Sequence, residues 1–245
     1  MTLVLPPRLT ASAEAIRDAA RRRGLTTVQL PTFDVPGDLR ATNLHAGPSF
    51  ADVVAPKLGI VLLEAPAGWL TELPGELTRR DVRLTPIGEA YAIRHPVFVK
   101  SPNDKSIKAM IYADGSRLPG PDAVERDTPV LVSEVVRFDA EYRLHVLDGS
   151  VVAASRYAED GRLSLGTDTV DAEKFGADVL AATTLPSAIV VDVGRIGGDW
   201  AVIEANAAWA SGCYVSDPDR VLDVVLRAAG PAAAVGDHDR RFLRN

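Results

Sequence analysis

Apolar residues in the first third of the chain follow a pattern that predicts a small α/β unit. A run with Ala13, Ile16 and Ala20 on one side predicts a helix that Thr10 or Ser12 caps and that Gly24 ends. Short apolar runs before and after it predict strands, and this order is typical of an α/β unit. The predicted elements are the helix Thr10–Arg23 and the strands Thr2–Leu5, Thr27–Leu30 and Ile60–Glu64.

Shorter β-type runs separated by turn residues fill much of the remaining chain and predict antiparallel pairing. Asp148-Gly149 is typical of a type I′ hairpin turn. The predicted strands are Pro96–Lys100, Ala109–Tyr112, Val130–Val136, Glu141–Leu147 and Val151–Tyr157, and the predicted helices are Asp171–Thr183 and Asp217–Arg227.

Proline, glycine and polar residues mark the connections. Pro31–Pro48 is predicted as an exposed loop, and Pro66–Pro86 as a linker with a short helix and a turn. We expect an N-terminal α/β domain over residues 1–90, a second domain over residues 91–235 and a polar tail over residues 236–245.

The stretch 188–206 predicts a hairpin with an acid, an acid and an amide on one face. With a loop of three residues, Arg195 lies opposite Asp199 and Asp192 lies opposite Val202, which makes Glu204 a diagonal neighbour. Asp192, Glu204 and Asn206 would then offer oxygen ligands to Mg²⁺, which is usually held together with phosphate oxygens. A loop of two or four residues would separate Asp192 from Glu204. The alternative is that Asp and Asn flank the hairpin for turn reasons alone.

The composition is that of a globular protein, with 47% hydrophobic and 24% charged residues among 245. The net charge of −6 argues against a general affinity for nucleic acid or anionic membranes. The start MTLVLPP lacks a basic segment and a long apolar run, and no window approaches a membrane span, so we expect a cytoplasmic protein.

Few residues in the chain suggest nucleophilic or zinc chemistry. Cys213 is the only cysteine, which excludes an internal disulfide and a Cys-based zinc cluster. The four histidines have no metal-ligand spacing, and we expect structural or solvent-facing roles for them. Cys213 and Trp209 are expected to pack in the core.

Cations and acids in the second half indicate a site for phosphate groups. Lysine is rare in the chain, yet Lys100, Lys105 and Lys108 lie close together, and ammonium groups suit phosphate oxygens. Arg143 shares a strand face with Glu141 and His145, where it could bind phosphate or form only a surface ion pair. The lysines could likewise mark only a solvated strand edge. No GxxxxGKS or GxGxxG motif is present.

The ordered stretches FVKSPNDKS, VLVSEVVRFDAEYRLHVLDGSVVAASRY and VVDVGRIGGDWAVIEANAAWASGCY resemble the ATP-grasp superfamily over about residues 70–230. The closer resemblance is to a compact clade, once known only as a domain of unknown function, that is associated with peptide or amino-acid ligation. The resemblance implies an ATP-grasp fold, an α+β arrangement in which antiparallel sheets enclose a nucleotide, preceded here by the small α/β domain.

The resemblance also implies roles for individual residues, with ATP and Mg²⁺ as cofactors. Lys100 and Lys105 would contact phosphates, Glu134 and the backbone near Val135 would meet adenine or ribose, and Arg143 would face the γ-phosphate or an acyl phosphate. Glu141 would orient this cluster. The implied magnesium ligands are Asp192, Glu204 and Asn206, and the implied catalytic residues are Arg143 and Lys105. Arg156-Tyr157 departs from the Lys-Arg pair of many relatives.

The implied reaction is an ATP-dependent carboxylate–amine ligation through an acyl phosphate. Its partners would be a small-molecule or peptide carboxylate and an amine acceptor. A small-molecule kinase and a nucleotide-binding module without catalysis remain alternatives, and product analysis or ATP binding by an Asp192→Ala variant would separate them. The sequence does not identify the acid, the nucleophile or the oligomeric state.

Overall fold

The computed structural model describes residues 1–104 and 106–244. The N-terminal part is an α/β unit, as predicted. Its elements are β1 (Thr2–Leu5), α1 (Ala11–Arg22), β2 (Thr26–Gln29), β3 (Asn43–Leu44), α2 (Pro48–Val54) and β4 (Ile60–Leu62). The first three strands form a parallel sheet in the order β2-β1-β3. The Thr10 hydroxyl accepts a hydrogen bond from Ala13 N at 3.2 Å and caps α1, which buries Ala13, Ile16 and Ala20.

The prediction of an exposed loop over Pro31–Pro48 is wrong for its second half. Asn43 and Leu44 form β3 beside β1, and both are buried. The Asn43 amide donates to the carbonyl oxygens of Leu226 and Ala229, which satisfies its polar atoms inside the protein.

A four-stranded antiparallel sheet follows in the order β5-β8-β6-β7. Its strands and associated short helices are α3 (Gly75–Thr78), β5 (Val82–Pro86), α4 (Ile87–Ala90), β6 (Val97–Lys100), β7 (Met110–Tyr112) and β8 (Pro129–Ser133). The segment Pro66–Pro86 is therefore more than a linker, because its last residues form β5 and pair with β8.

The largest sheet has five antiparallel strands in the order β11-β10-β9-β12-β13. It contains β9 (Ala140–Leu147), β10 (Ser150–Glu159), β11 (Arg162–Gly166), β12 (Ala188–Ile196) and β13 (Asp199–Asn206), with α5 (Val170–Ala182) between β11 and β12. Asp148 and Gly149 have φ angles of 47° and 76°, as the predicted type I′ turn requires.

The C-terminal elements return to the front of the molecule. They are α6 (Pro218–Ala228), which Asp217 caps, and β14 (Ala229–Pro231), which pairs with β4. Leu3 and Ile16 share one core cluster with Val221 and Leu222, so α6 packs against the N-terminal unit. The domain boundary near residue 90 stays a prediction.

The segment predicted as a polar tail is packed against β4. Asp239 and Phe242 are buried, and Leu243 forms a β-bridge with Leu63. Within the described ranges, no helix has the length and apolar character that crossing a membrane requires.

Candidate active site

Three charged side chains form a row across the five-stranded sheet. Arg143 on β9 lies opposite Asp192 on β12, and Asp192 lies opposite Glu204 on β13. Directly paired residues of antiparallel strands carry their side chains on the same face. Asn206 lies two residues beyond Glu204 and therefore shares that face.

The hairpin that carries the acids has a shorter loop than the sequence predicts. Ile196 pairs with Asp199, so Gly197 and Gly198 alone form the turn, with φ angles of 57° and 97°. Two positive φ angles define a type I′ turn, which glycine adopts without steric cost. The predicted three-residue loop is therefore wrong, and so is the expected opposition of Arg195 and Asp199.

A β-bulge nevertheless restores the predicted face. Val193 pairs with Val202, whereas the next residue, Asp192, pairs with Glu204, so Ile203 is an extra residue on β13. Asp192 therefore does not lie opposite Val202, as expected, but directly opposite Glu204. The extra residue compensates for the shorter loop, and the acids meet by a different route from the predicted one.

Arg143 is held by a two-point ion pair and two aromatic rings. Its Nε donates to Asp192 Oδ1 at 2.9 Å, and its Nη2 donates to Asp192 Oδ2 at 2.7 Å. Its Nη1 donates to the carbonyl oxygen of Gly212 at 3.3 Å. The guanidinium carbon lies 5.0 Å from the ring centroid of Tyr214 and 5.7 Å from that of Tyr157. These contacts fix both the charge and its direction.

Burial and charge have opposite effects within this ion pair. Burial disfavours the charged guanidinium, but the Asp192 carboxylate outweighs it and raises the pKa of Arg143 above its ordinary value. Burial raises the pKa of Asp192, which is 1% exposed, and Arg143 opposes that shift. Arg143 is therefore a cation at neutral pH.

Glu204 connects the two antiparallel sheets. Its carboxylate forms an ion pair with the ammonium group of Lys100, at the end of β6 in the four-stranded sheet. Asn206 Nδ2 donates to Glu204 Oε1 at 2.8 Å and to Asp192 Oδ2 at 3.0 Å. Burial raises the pKa of Glu204, but Lys100 and the hydrogen bonds from Lys100 and Asn206 together place it below its ordinary value.

The donor set suits a hard divalent cation that has further oxygen ligands. Asp192, Glu204 and Asn206 form one hydrogen-bonded cluster, and Mg²⁺ prefers carboxylate and amide oxygens. Across residues 1–104 and 106–244, no group of three or more His, Cys, Asp or Glu side chains could hold a metal ion by itself. Both oxygens of Asp192 already bind Arg143, so Glu204 and Asn206 are the more available ligands.

A cleft of about 580 Å³ opens above these side chains. Lys100, Arg143, Glu204 and Asn206 line it, and so do the loop residues Ser101–Asp104. The cleft thus combines two cations with an acid and an amide. A phosphorylated ligand with a bound cation is the kind of molecule that this charge pattern suits.

Other predicted residues lie outside this lining. Glu134 and Val135 follow β8 and are exposed, and the Glu134 carboxylate accepts a hydrogen bond from Asp81 N at 3.0 Å. Their contact with a nucleotide stays a prediction. Lys105 lies outside the described residues. Glu141 accepts a hydrogen bond from the Tyr157 hydroxyl at 2.7 Å, and burial raises the pKa of Glu141.

The sequence analysis missed the part that the tyrosines play. Tyr157 and Tyr214 stack with ring centroids 5.0 Å apart, beside Arg143. The hairpin register places Ser155 opposite Arg143, so period-2 alternation along β10 is a signal that points to Tyr157. No local pattern marks Tyr214, which has a φ angle of 47°. The expectation for Cys213 and Trp209 is confirmed, since both are buried in core clusters.

Two antiparallel sheets joined across a cleft by a lysine and an acid define the protein as an ATP-grasp protein. A family model for an ATP-grasp domain, described as the second family of one clade of this superfamily, matches residues 77–224. The match spans more than half of the chain, and the chain belongs to that family. A comparison with curated protein sequences gave no match.

Solved structures share this fold at low sequence identity. A RimK domain ATP-grasp protein from Sphaerobacter thermophilus matches with a TM-score of 0.51 and 15% identity over 92% of this chain and 100% of that chain. D-alanine–D-alanine ligase from Bacillus anthracis matches with a TM-score of 0.51 and 13% identity over 93% of this chain and 97% of that chain. The same ligase in complex with ATP gives a TM-score of 0.50 and 12% identity over 93% and 96% of the two chains.

Proposed function

We propose that the chain is an ATP-dependent carboxylate–amine ligase that forms an amide through an acyl phosphate and uses Mg²⁺. The observation that carries the proposal is the arrangement of Arg143, Asp192 and Glu204 in one row, with Lys100 and Asn206 bound to it, at a cleft of an ATP-grasp domain.

Each residue of the row has a part that follows from its contacts. Arg143, fixed by Asp192, supplies a directed cation for the γ-phosphate or the acyl phosphate. Glu204 and Asn206, with Asp192 beside them, would hold Mg²⁺, which neutralises charge on phosphate oxygens when bound. Lys100 contacts the phosphates, and by family resemblance Lys105 does the same.

The residues around the row position it. Glu141 binds the Tyr157 hydroxyl, and the Tyr157 ring lies beside the Arg143 guanidinium, so Glu141 orients Arg143 indirectly. Glu134 and the backbone near Val135 would contact adenine or ribose, as the family resemblance implies.

The proposed reaction needs no nucleophile from the protein. A substrate carboxylate oxygen attacks the γ-phosphorus of ATP, the bond from that phosphorus to the β,γ-bridging oxygen breaks, and ADP leaves. The amine nitrogen then attacks the acyl carbon, the bond from carbon to the phosphate oxygen breaks, and phosphate leaves while the nitrogen loses a proton. Fixed cations favour both steps because negative charge develops on oxygen in each.

The proposed substrates are a small-molecule or peptide carboxylate and an amine. D-alanine–D-alanine ligase, which shares the fold, is named for joining two amino acids and has been solved with ATP. This likeness supports the substrate class and leaves the particular acid and amine open.

Calorimetric titration of ATP, with and without Mg²⁺, tests the proposal before a substrate is known. We expect magnesium-dependent ATP binding by the wild type and its loss in Glu204→Ala. Absence of ATP binding by the wild type would refute the ligase proposal. If ATP binds, acids and amines are screened for ADP release; an amide product supports the ligase, whereas a phosphoryl ester would identify a kinase.

A further inference from the structure

Arg80 is a buried cation whose hydrogen bonds go to main-chain carbonyl groups. It lies between α3 and β5, and its Nη1 donates to Thr78 O at 2.9 Å and to Val202 O at 2.7 Å. Its Nη2 donates to Ile203 O at 2.9 Å, and its guanidinium carbon lies 5.5 Å from the centroid of the Phe138 ring. Burial lowers the pKa of Arg80 to about 10, and the nearby Glu204 carboxylate opposes that shift.

The two carbonyl groups that Arg80 binds on β13 belong to the bulge. In a regular strand, successive carbonyl groups point to opposite edges, so one guanidinium group cannot bind both. Here it binds those of Val202 and Ile203, because Ile203 is the extra residue between two paired positions. β13 is also the edge strand of its sheet, where outward carbonyl groups have no neighbouring strand as a partner.

The bulge determines where Glu204 points. A two-residue loop followed by a regular ladder would pair Asp192 with Ile203 and would turn Glu204 to the opposite face. With the bulge, Glu204 lies opposite Asp192 and next to Asn206. A residue that stabilises the bulge therefore acts on the site without contacting its ligand.

We propose that Arg80 is a positioning residue that holds the Ile203 bulge and thereby keeps Glu204 beside Asp192 and Asn206. This inference rests on the proposed function for its effect on magnesium and ATP, whereas its effect on strand register stands by itself. Its role is distinct from that of the nearby Arg83, which is 61% exposed on β5 and faces Asp81 at 3.8 Å.

The test compares Arg80→Met and Arg80→Lys with the control Arg83→Met. We expect Arg80→Met to weaken magnesium-dependent ATP binding by about 10- to 100-fold, as loss of a group that orients a metal ligand does, with ATP binding in EDTA unchanged. Arg80→Lys keeps a cation that can bind one carbonyl group, so its loss should be smaller. Arg83→Met should bind like the wild type.

Deletion of Ile203 separates a role in positioning from a role in general stability. The deletion makes the ladder regular and leaves Glu204 opposite Asp192, so Arg80→Met should weaken magnesium-dependent binding much less in that background than in the wild type. An equal loss in both backgrounds, or wild-type affinity in Arg80→Met, would overturn the proposal.

A crystal structure of Arg80→Met, or of Arg80→Lys if the methionine variant does not fold, decides the question of register directly. Loss or displacement of the Ile203 bulge supports the proposal, and an unchanged bulge refutes it. If the wild type does not bind ATP with magnesium, the proposed function fails, and this structure alone still decides the role of Arg80.

Discussion

Arg143 and Asp192 face each other from neighbouring strands and share two hydrogen bonds of 2.9 and 2.7 Å in the middle of the five-stranded sheet. Asp192 is 1% exposed and Arg143 is 11% exposed, so neither charge is well solvated. Each charge is tolerated because the other is present. The pair therefore belongs both to the stability of the sheet and to the proposed phosphate site.

Replacement of Arg143 by Met should strongly destabilise the fold. The substitution leaves the Asp192 carboxylate buried without its cation, which typically costs about 3–5 kcal/mol. Urea unfolding at neutral pH measures the loss. Arg137→Met is the matched control, because Arg137 and its partner Asp160 are 75% and 65% exposed and such pairs contribute below about 1 kcal/mol. The double variant Arg143→Met with Asp192→Asn should recover part of the stability, since the unpaired charge is gone.

The deficit of Arg143→Met should shrink in acid. Without Arg143, burial raises the pKa of Asp192 further above its ordinary value, so the folded variant binds a proton more tightly than the unfolded chain does. The penalty is then fully present above the folded pKa and disappears as the pH falls below the unfolded pKa of about 3.9. A deficit that is constant between pH 7 and pH 4 would contradict this explanation.

Replacement of Lys100 by Met should make magnesium-dependent ATP binding sensitive to pH. Lys100 keeps the pKa of Glu204 below its ordinary value, and without it burial would raise that pKa. A protonated Glu204 cannot ligate a cation well, so affinity should fall between pH 7 and pH 5 in Lys100→Met more steeply than in the wild type. Calorimetry at several pH values measures the slope.

Lys100→Arg is the control for this pH effect. It keeps the positive charge beside Glu204 and should retain a slope close to that of the wild type, even where its affinity is lower at every pH. Equal slopes for the Met and Arg variants would show that the charge of Lys100 does not control Glu204.

The strands of the candidate site could be predicted from local sequence, but their register could not. The β-branched runs and the glycines predict the hairpin of β12 and β13, and Asp148-Gly149 predicts the turn between β9 and β10. The Ile203 bulge has no local signal, because it is bound by Arg80, a residue 123 positions away in the chain. The predicted face of the acids was correct since an error in loop length was offset by the bulge.

The packing of the last residues could likewise not be predicted from local sequence. The segment is mostly polar, and one buried Phe gives no periodicity that would indicate a face. Its position depends on partners from the N-terminal unit: Arg244 forms ion pairs with Asp52 and Glu64, and Leu243 bridges to Leu63. Contacts of this kind become visible only in three dimensions.

Two buried histidines should make the fold sensitive to mild acid. Burial lowers the pKa of His45 to about 4 and that of His145 to about 3. Both pKa values lie below the unfolded value of about 6.5, so the stability that the neutral rings contribute is present above that pH and is lost as the pH falls toward the folded values. Well below pH 6.5, each histidine should add a slope that approaches about 1.4 kcal/mol per pH unit.

His145→Leu tests this assignment. Unfolding free energies between pH 7 and pH 5 should decline less steeply in the variant than in the wild type, because one proton fewer binds on unfolding. His95→Leu is the control, since His95 is exposed and its removal should leave the slope unchanged. A His145→Leu slope equal to that of the wild type would mean that other groups cause the acid sensitivity.

Replacement of Phe242 by Ala should show that the C-terminal segment is part of the folded structure. Phe242 is 5% exposed, and removal of a buried Phe side chain typically costs about 3–5 kcal/mol. Phe33→Ala is a matched control, because Phe33 is 44% exposed and has less apolar surface to lose. Urea unfolding of both variants gives the comparison. Equal losses would mean that the segment 236–244 contributes no more than a surface loop does, whereas a larger loss for Phe242 would make the ion pairs of Arg244 with Asp52 and Glu64 part of a packed interface with the N-terminal unit.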